Sequence, residues 1–280
     1  GAVEGLCLYY SLRCRYEEGR SACRLALESL DAANQPGDGR LSLQGWLLAW
    51  QANFCAQLGE VEQAKQLREA GWEVLGQAAG QDVRLVQALI LRMRAGNAVT
   101  LRQQLDGFLQ SAALYQETNE PWWRAGILTS AGEVAARMGD HDLGLKLHQE
   151  AVELSRQVGE PRRLGGALEL LAYGHLILGQ WVSGSRLMHE AADAFRAAGD
   201  LGAKAQAELH LGTMLDWTGH FAEARPVLET ALTMLRQVGY RYEWAYGMLG
   251  LGLSEMETGE YAQAAHTMQQ ALEATRRDGF

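Results

Sequence analysis

Glycine recurs in this chain at a fixed interval. Gly59, Gly139, Gly179, Gly219 and Gly259 lie on one 40-residue lattice, with Val99 in its vacant slot. A second lattice of the same period runs through Gly159, Gly199, Gly239 and Gly279, with Asn119 one step earlier. A third holds Gly71, Ser111, Ala151, Ala191, Ala231 and Ala271. Three small-residue lattices in step define a repeat protein, in which each unit buries its apolar face against its neighbours. The period also explains why glycine numbers 32 against four prolines, a ratio that without a period would suggest low complexity.

Between lattice points the pattern is helical. In the last full unit, Met248, Leu251 and Met256 recur at helical spacing from Trp244 onward, with little β-branching. Thr258-Gly259-Glu260 breaks that helix, glycine being the residue that accepts the left-handed conformation after a C-cap. A second helix is expected from Tyr261 to Arg277, with Ala264, Met268, Ala271 and Leu272 on one stripe, ending at Asp278-Gly279. Each unit therefore reads as two antiparallel helices, and small residues such as Gly252, Ala264 and Ala271 let the two backbones approach closely. Units are expected over 1–34, 40–79, 80–119, 121–159, 162–199, 202–239 and 242–279, as one continuous array.

Two places break the pattern. The third unit has Val99 for the turn glycine and Arg92 and Gln104 at small-residue positions, so its turn moves to Gly96-Asn97 and its hairpin is expected to be shifted or splayed. The first unit matches through Cys14-Arg-Tyr16-Glu-Glu-Gly19 but five residues out of phase, an offset absorbed by the loop Asn34-Gln-Pro36-Gly-Asp-Gly39.

Composition narrows the function classes. Hydrophobic residues make 48% and charged residues 21%, and the net charge is −9. An acidic chain without a Lys/Arg cluster is a poor binder of nucleic acid, where neutralising phosphates supplies most of the affinity, and of anionic membranes. No apolar run approaches the length of a spanning helix. The start, Gly1-Ala2-Val3-Glu4-Gly5, carries neither an initiator methionine nor a leader pattern and reads as the interior of a longer protein. Cys7, Cys14, Cys23 and Cys55 have no C-x2-C spacing and read as small buried side chains in a reducing cytoplasm.

Catalytic and cofactor signatures are missing. There is no G-x4-G-K-[ST], and Gly250-Leu-Gly252 lies inside a helix rather than after a strand. The seven histidines form no H-E-x-x-H pair, and Ser183 and Ser185 flank Gly184 without making a nucleophile elbow. No cofactor, no metal and no enzymatic activity are expected.

The motif G-x-[YFWH]-x-x-[AG] reads Gly139-Asp-His141-Asp-Leu-Gly144, Gly179-Gln-Trp181-Val-Ser-Gly184, Gly219-His-Phe221-Ala-Glu-Ala224 and Gly259-Glu-Tyr261-Ala-Gln-Ala264, with Gly59-Glu-Val61-Glu-Gln-Ala64 as an earlier copy. With Ala52, Gly132, Ala172, Gly212 and Gly252 eight residues into the first helices, it resembles the tetratricopeptide repeat. The period exceeds that repeat's usual length, implying longer helices or turns. Repeats of this length resemble the sensor segment of signal-transduction ATPases with numerous domains, such as the maltose-regulon activator, and also eukaryotic scaffolds of the LGN type.

The resemblance implies an all-α superhelix of about seven hairpins, with ligand contacts from first helices on a concave face. Carried over residue by residue, it gives Trp46, Asn53, Glu133, Arg137, Glu169, Tyr173, Trp217 and Tyr246 as candidate ligand-binding residues, and Trp50, Trp122 and His210 join them as aromatic and polar residues interleaved on the same first helices. Aromatic side chains interleaved with a few polar groups suit a binding groove, although tryptophans also fill the space between hairpins. The carboxylates on that face argue against the clamp by which chaperone adaptors hold a C-terminal carboxylate. The first function implied is a cytoplasmic sensor that binds a protein, peptide or small effector and signals to an NTPase module of the same full-length chain, in transcription regulation. The alternative is a constitutive scaffold for a partner peptide.

Overall fold

A computed structural model describes residues 2–32, 39–78, 80 and 82–279, without the side chain of Asp278. Every regular element among them is helical, in the order α1 (Ala2–Leu12), α2 (Tyr16–Ala32), α3 (Arg40–Gln57), α4 (Val61–Gly76), α5 (Arg84–Gly96), α6 (Leu101–Glu117), α7 (Pro121–Arg137), α8 (His141–Val158), α9 (Pro161–Ile177), α10 (Trp181–Ala197), α11 (Leu201–Trp217), α12 (Phe221–Val238), α13 (Arg241–Glu257) and α14 (Tyr261–Asp278). The chain forms two compact units, Gly1–Val134 and Ala135–Phe280. Within each, helices pack in sequence as hairpins and then against the next hairpin. The offset loop of the first unit, apart from Gly39, lies outside the described residues.

The lattice is a backbone requirement. The glycines of its first two lattices all have positive φ, from 70° at Gly199 to 85° at Gly139. That conformation releases the last helical carbonyls to the next N–H groups and turns the chain back. Cys14 and Asn119, which stand in lattice slots, are the two described non-glycine residues forced into the same region, at φ 52° and 56°. Valine cannot follow, because a β-branched side chain clashes there. At Val99 the chain instead makes a longer turn, Asn97 to Thr100, and Thr100 opens α6 with a reciprocal capping box to Gln103. Helix α5 shortens to 13 residues where α7, α9, α11 and α13 have 17, and Gln104 donates from Nε2 to the Ala98 carbonyl at 3.0 Å. The third hairpin is thus rebuilt at its turn, as its sequence anticipates.

Small residues set the helix crossings. A Cβ on Gly212 would lie 2.6 Å from the Leu228 side chain, and one on Gly184 would lie 3.1 Å from the Ala172 carbonyl oxygen. The third lattice is buried throughout its alanines, and Ser111 donates its hydroxyl to the Ala88 carbonyl at 2.8 Å. The glycines clustered near the starts of first helices divide in two. Gly45, Gly165 and Gly247 meet Leu75, Phe195 and Leu209 of neighbouring helices, whereas Gly166 faces open space. Cys7, Cys23 and Cys55 are buried, and Cys14 is exposed in its turn. No described helix is long and apolar enough to cross a membrane.

Candidate functional site

The eleven candidate residues fall into different settings. In the N-terminal unit the aromatics consume one another. Trp50 is only 2% exposed and packs with Phe54 at 5.8 Å between ring centroids. Trp123 of α7 lies 6.5 Å from Trp50, stacks on Tyr115 at 5.9 Å and meets Trp122 edge-on at 4.6 Å. Its indole Nε1 donates to the Glu4 carboxylate of α1 at 2.9 Å, and the Arg92 guanidinium sits 5.8 Å from its ring. Helices α1, α3, α5 and α7, all first helices of their hairpins, thus converge on one tryptophan. Trp46 is half-buried against the same core, and Asn53 is half-buried on α3. Burial lowers the affinity of Arg92 for its proton and pushes the Tyr115 phenol up. Glu133 is exposed near the end of this unit.

Sequence reasoning passed over Trp123, Glu4 and Tyr115 as a group. Their partnership spans 119 residues, and no local spacing announces it. Arg92 was visible only as a break in the small-residue pattern.

The C-terminal unit presents a different face. His210 of α11 places Nδ1 2.6 Å from Glu169 Oε1 of α9, so Nδ1 carries the proton and the carboxylate accepts. The Tyr173 ring, one turn along α9, meets the His210 ring edge-on at 5.4 Å. Burial pushes the Tyr173 phenol up, and the nearby Glu169 and Tyr246 add to the effect. The phenol is therefore a neutral donor, and it has no hydrogen-bond partner among the described residues. Tyr246 of α13 is 45% exposed. Glu169, Tyr173, His210 and Tyr246 thus form one polar–aromatic cluster on three successive first helices. Arg137 is exposed at the start of this unit, and Trp217 is 71% exposed without a ring partner among the described residues.

Asp216, near the end of α11, faces α13. A Cβ on Gly250 would come 4.0 Å from its Oδ2 and 3.9 Å from the Thr213 hydroxyl. Burial pushes the Asp216 carboxyl up to about 6, with Ser254 opposing. Among the described residues no group of three or more His, Cys, Asp or Glu side chains could hold a metal ion.

No protein-family model and no curated protein matches the chain. Solved structures do. A signal-transduction ATPase with numerous domains and a tetratricopeptide-repeat sensor, from Pyrococcus horikoshii, superposes with a TM-score of 0.79 over 98% of this chain at 15% identity. This chain spans 42% of that protein's length. The apo form of RapI gives a TM-score of 0.83 over 99% of this chain and 77% of its own at 11% identity. A Rap protein complexed with competence and sporulation factor gives 0.66 over 98% of this chain and 76% of its own, also at 11% identity. Identities this low establish architecture: the chain has the all-α, tetratricopeptide-type fold of stacked helical hairpins.

Proposed function

We propose that this chain is the sensor segment of a larger signalling ATPase with numerous domains, binding a protein, peptide or small effector on its first helices. The observation that carries the reading is the cluster of Glu169, Tyr173, His210 and Tyr246. A carboxylate, an imidazole and two phenols from three hairpins converge without saturating one another, as a recognition surface requires. The likeness to the Pyrococcus horikoshii protein, whose repeats are described as its sensor, supports the signalling context. The Rap protein solved with competence and sporulation factor supports partner binding by an array of this kind.

The physical route from binding to signal is simple. Each hairpin rests only on its neighbours, so small changes of inter-hairpin angle add along an array. A ligand bridging α9, α11 and α13 favours the spacing that fits it, and it shifts the equilibrium by its difference in affinity between spacings. The NTPase module elsewhere in the same protein would read that shift.

The test is affinity capture from source lysate, with mass spectrometry of both proteins and metabolites, using wild type and the Glu169→Ala/Tyr173→Ala double variant. A species retained by wild type and lost by a variant of unchanged helicity supports the site. Equal retention by both defeats it.

A further inference from the structure

One register position recurs beside the junctions between hairpins and fills several of them. Stepping by 40 residues, it holds Arg225, Ser185, Leu145, Leu105 and Lys65, and the offset of the first unit brings Arg20 to it. Arg225 plugs the last junction: its guanidinium pairs with Glu260 at 2.6 and 2.9 Å and lies 3.7 Å from the buried Glu255. Arg20 repeats the device at the first junction, with Nη1 2.5 Å from Glu60. Glu60 and Glu260 both immediately precede the second helix of the following hairpin. Leu145 fills its junction with an alkyl group, reaching within 2.7 Å of where a Cβ on Gly174 would stand. Leu105 is buried, and Lys65 is a long side chain on an exposed position.

Ser185 alone is short. At its junction Leu215 and His220 stand where the last junction has Glu255 and Glu260, so neither a plug nor its counter-charges are present. The consequence is a hollow of about 430 Å³ between the hairpins α9–α10 and α11–α12. Leu211, Met214 and Leu215 supply apolar wall, and Trp181 and Val182 stand at its mouth, 42% and 87% exposed. None of its walls belongs to the Glu169–His210 cluster, so the hollow is independent of the function proposed above.

We propose that this hollow is a binding site for a small amphipathic acid, with an apolar, preferably aromatic body against Trp181 and Met214 and its anionic group on Arg186. The volume suits a compact organic ligand. Arg186 lines the hollow from α10 and makes no ion pair among the described residues. Glu223 lines the α12 side, also without an ion-pair partner among them, and repels an anion from that end. The two charges together set the ligand's direction. His189 and His220 complete the polar rim, His220 with Nδ1 2.8 Å from the Thr218 hydroxyl. The rest of the chain indicates what the site lacks: a side-chain-sized body that fills the gap, supplied elsewhere by an arginine or a leucine.

The probes are 8-anilinonaphthalene-1-sulfonate and its neutral counterpart N-phenyl-1-naphthylamine, titrated by fluorescence against the intact chain. One sulfonate probe per chain, displaced by naphthalene-1-carboxylate, is expected. Ser185→Arg with His220→Glu installs the plug found at Arg225/Glu260 and Arg20/Glu60, and both probes should then bind at least ten-fold more weakly at unchanged helicity. Ser185→Leu, the solution used at Leu145, serves the same purpose should the double variant fold poorly. Arg186→Ala should weaken the sulfonate probe about three-fold, an exposed ion pair's worth, and leave the neutral probe unchanged. A folded plugged variant that binds as wild type overturns the site. Equal effects of Arg186→Ala on both probes, or failure of the carboxylate to displace, overturns the acid.

Discussion

The two compact units close the same lattice in different ways. Of the slots in the C-terminal unit, all eight from Gly139 to Gly279 are glycine, while the N-terminal unit keeps Gly59 but has Cys14, Ala79, Val99 and Asn119 in others. The same contrast governs the faces of the first helices. The N-terminal unit spends its aromatics on itself, with Trp50, Trp122, Trp123 and Tyr115 in mutual contact and Glu4 and Arg92 turned onto Trp123. The C-terminal unit leaves Tyr246 and Trp217 exposed and places polar groups between its helices. An irregular backbone is compensated by aromatic packing in one unit. A regular backbone leaves aromatic and polar side chains exposed in the other.

Removing Trp50 should break this contrast most severely. Trp50→Ala deletes a fully buried ring from the core of its unit, and a loss of about 3–5 kcal/mol follows. Tyr173→Ala, on the half-buried face of the other unit, should cost about 1 kcal/mol. Guanidinium melts followed by tryptophan emission, which reports mainly on the five tryptophans of the N-terminal unit, will separate the two. Comparable midpoints for both variants would contradict the division into a packed and an open face.

The Glu4–Trp123 bond is the next test. Glu4→Leu leaves the indole N–H of a half-buried tryptophan without its acceptor, a penalty of about 1–3 kcal/mol, partly repaid where water reaches the ring. Trp123→Phe in the same background should recover much of the loss, because the donor is then gone too. A double-mutant cycle measures the coupling directly, and zero coupling would make the bond ornamental to the unit.

Asp216 gives the C-terminal unit a pH dependence of its own. Its carboxyl is raised to about 6 in the folded state, above the ordinary value near 3.9 of an unfolded chain. Between these values the folded state holds the proton and the unfolded state does not. Stability from this group is therefore present in acid and is lost as pH rises from about 4 to about 6, after which it stays flat. With the group half-buried, solvent screening keeps the loss to about 1 kcal/mol. Asp216→Asn should remove that slope and be more stable than wild type at pH 7, read from thermal melts across pH 4–8. A slope that persists in the variant would assign it to other groups.

Much of this architecture was legible from residue spacing, since a glycine lattice, small residues at crossings and helical periodicity each carry a local physical cause. Val99 even announced the rebuilt third turn. The site was less legible. Glu169 and Tyr173 come from carrying a family's inner-face positions onto the chain and His210 from its place among the first-helix aromatics, and the structure brings these three together. Ala49 satisfies the same positional rule, and Trp50 is a first-helix tryptophan beside it, yet both lie in the core. The rule identifies a face of a helix, while burial depends on what the neighbouring hairpins place opposite it. In the N-terminal unit that is Trp123, seventy-odd residues downstream of Trp50 and outside any repeat-to-repeat register.

Asn119 supplies the finest test of the contrast between units. It holds φ 56° in a lattice slot where the C-terminal unit always has glycine. Asparagine tolerates this region better than other side chains but still pays a steric penalty, so Asn119→Gly should stabilise the N-terminal unit by a few tenths of a kcal/mol, the greater entropy of unfolded glycine offsetting part of the gain. Val99→Gly should do the opposite. Val99 is not among the positive-φ residues and is 96% exposed, so glycine there relieves no strain and only adds freedom to the unfolded chain, a loss of about 0.5–1 kcal/mol. The two substitutions both install glycine, lie in one unit and each restore a slot of a 40-residue lattice. Opposite signs in paired urea melts would establish that the lattice acts through φ. Equal signs would mean that the period marks sequence ancestry and that the turn geometry is set elsewhere.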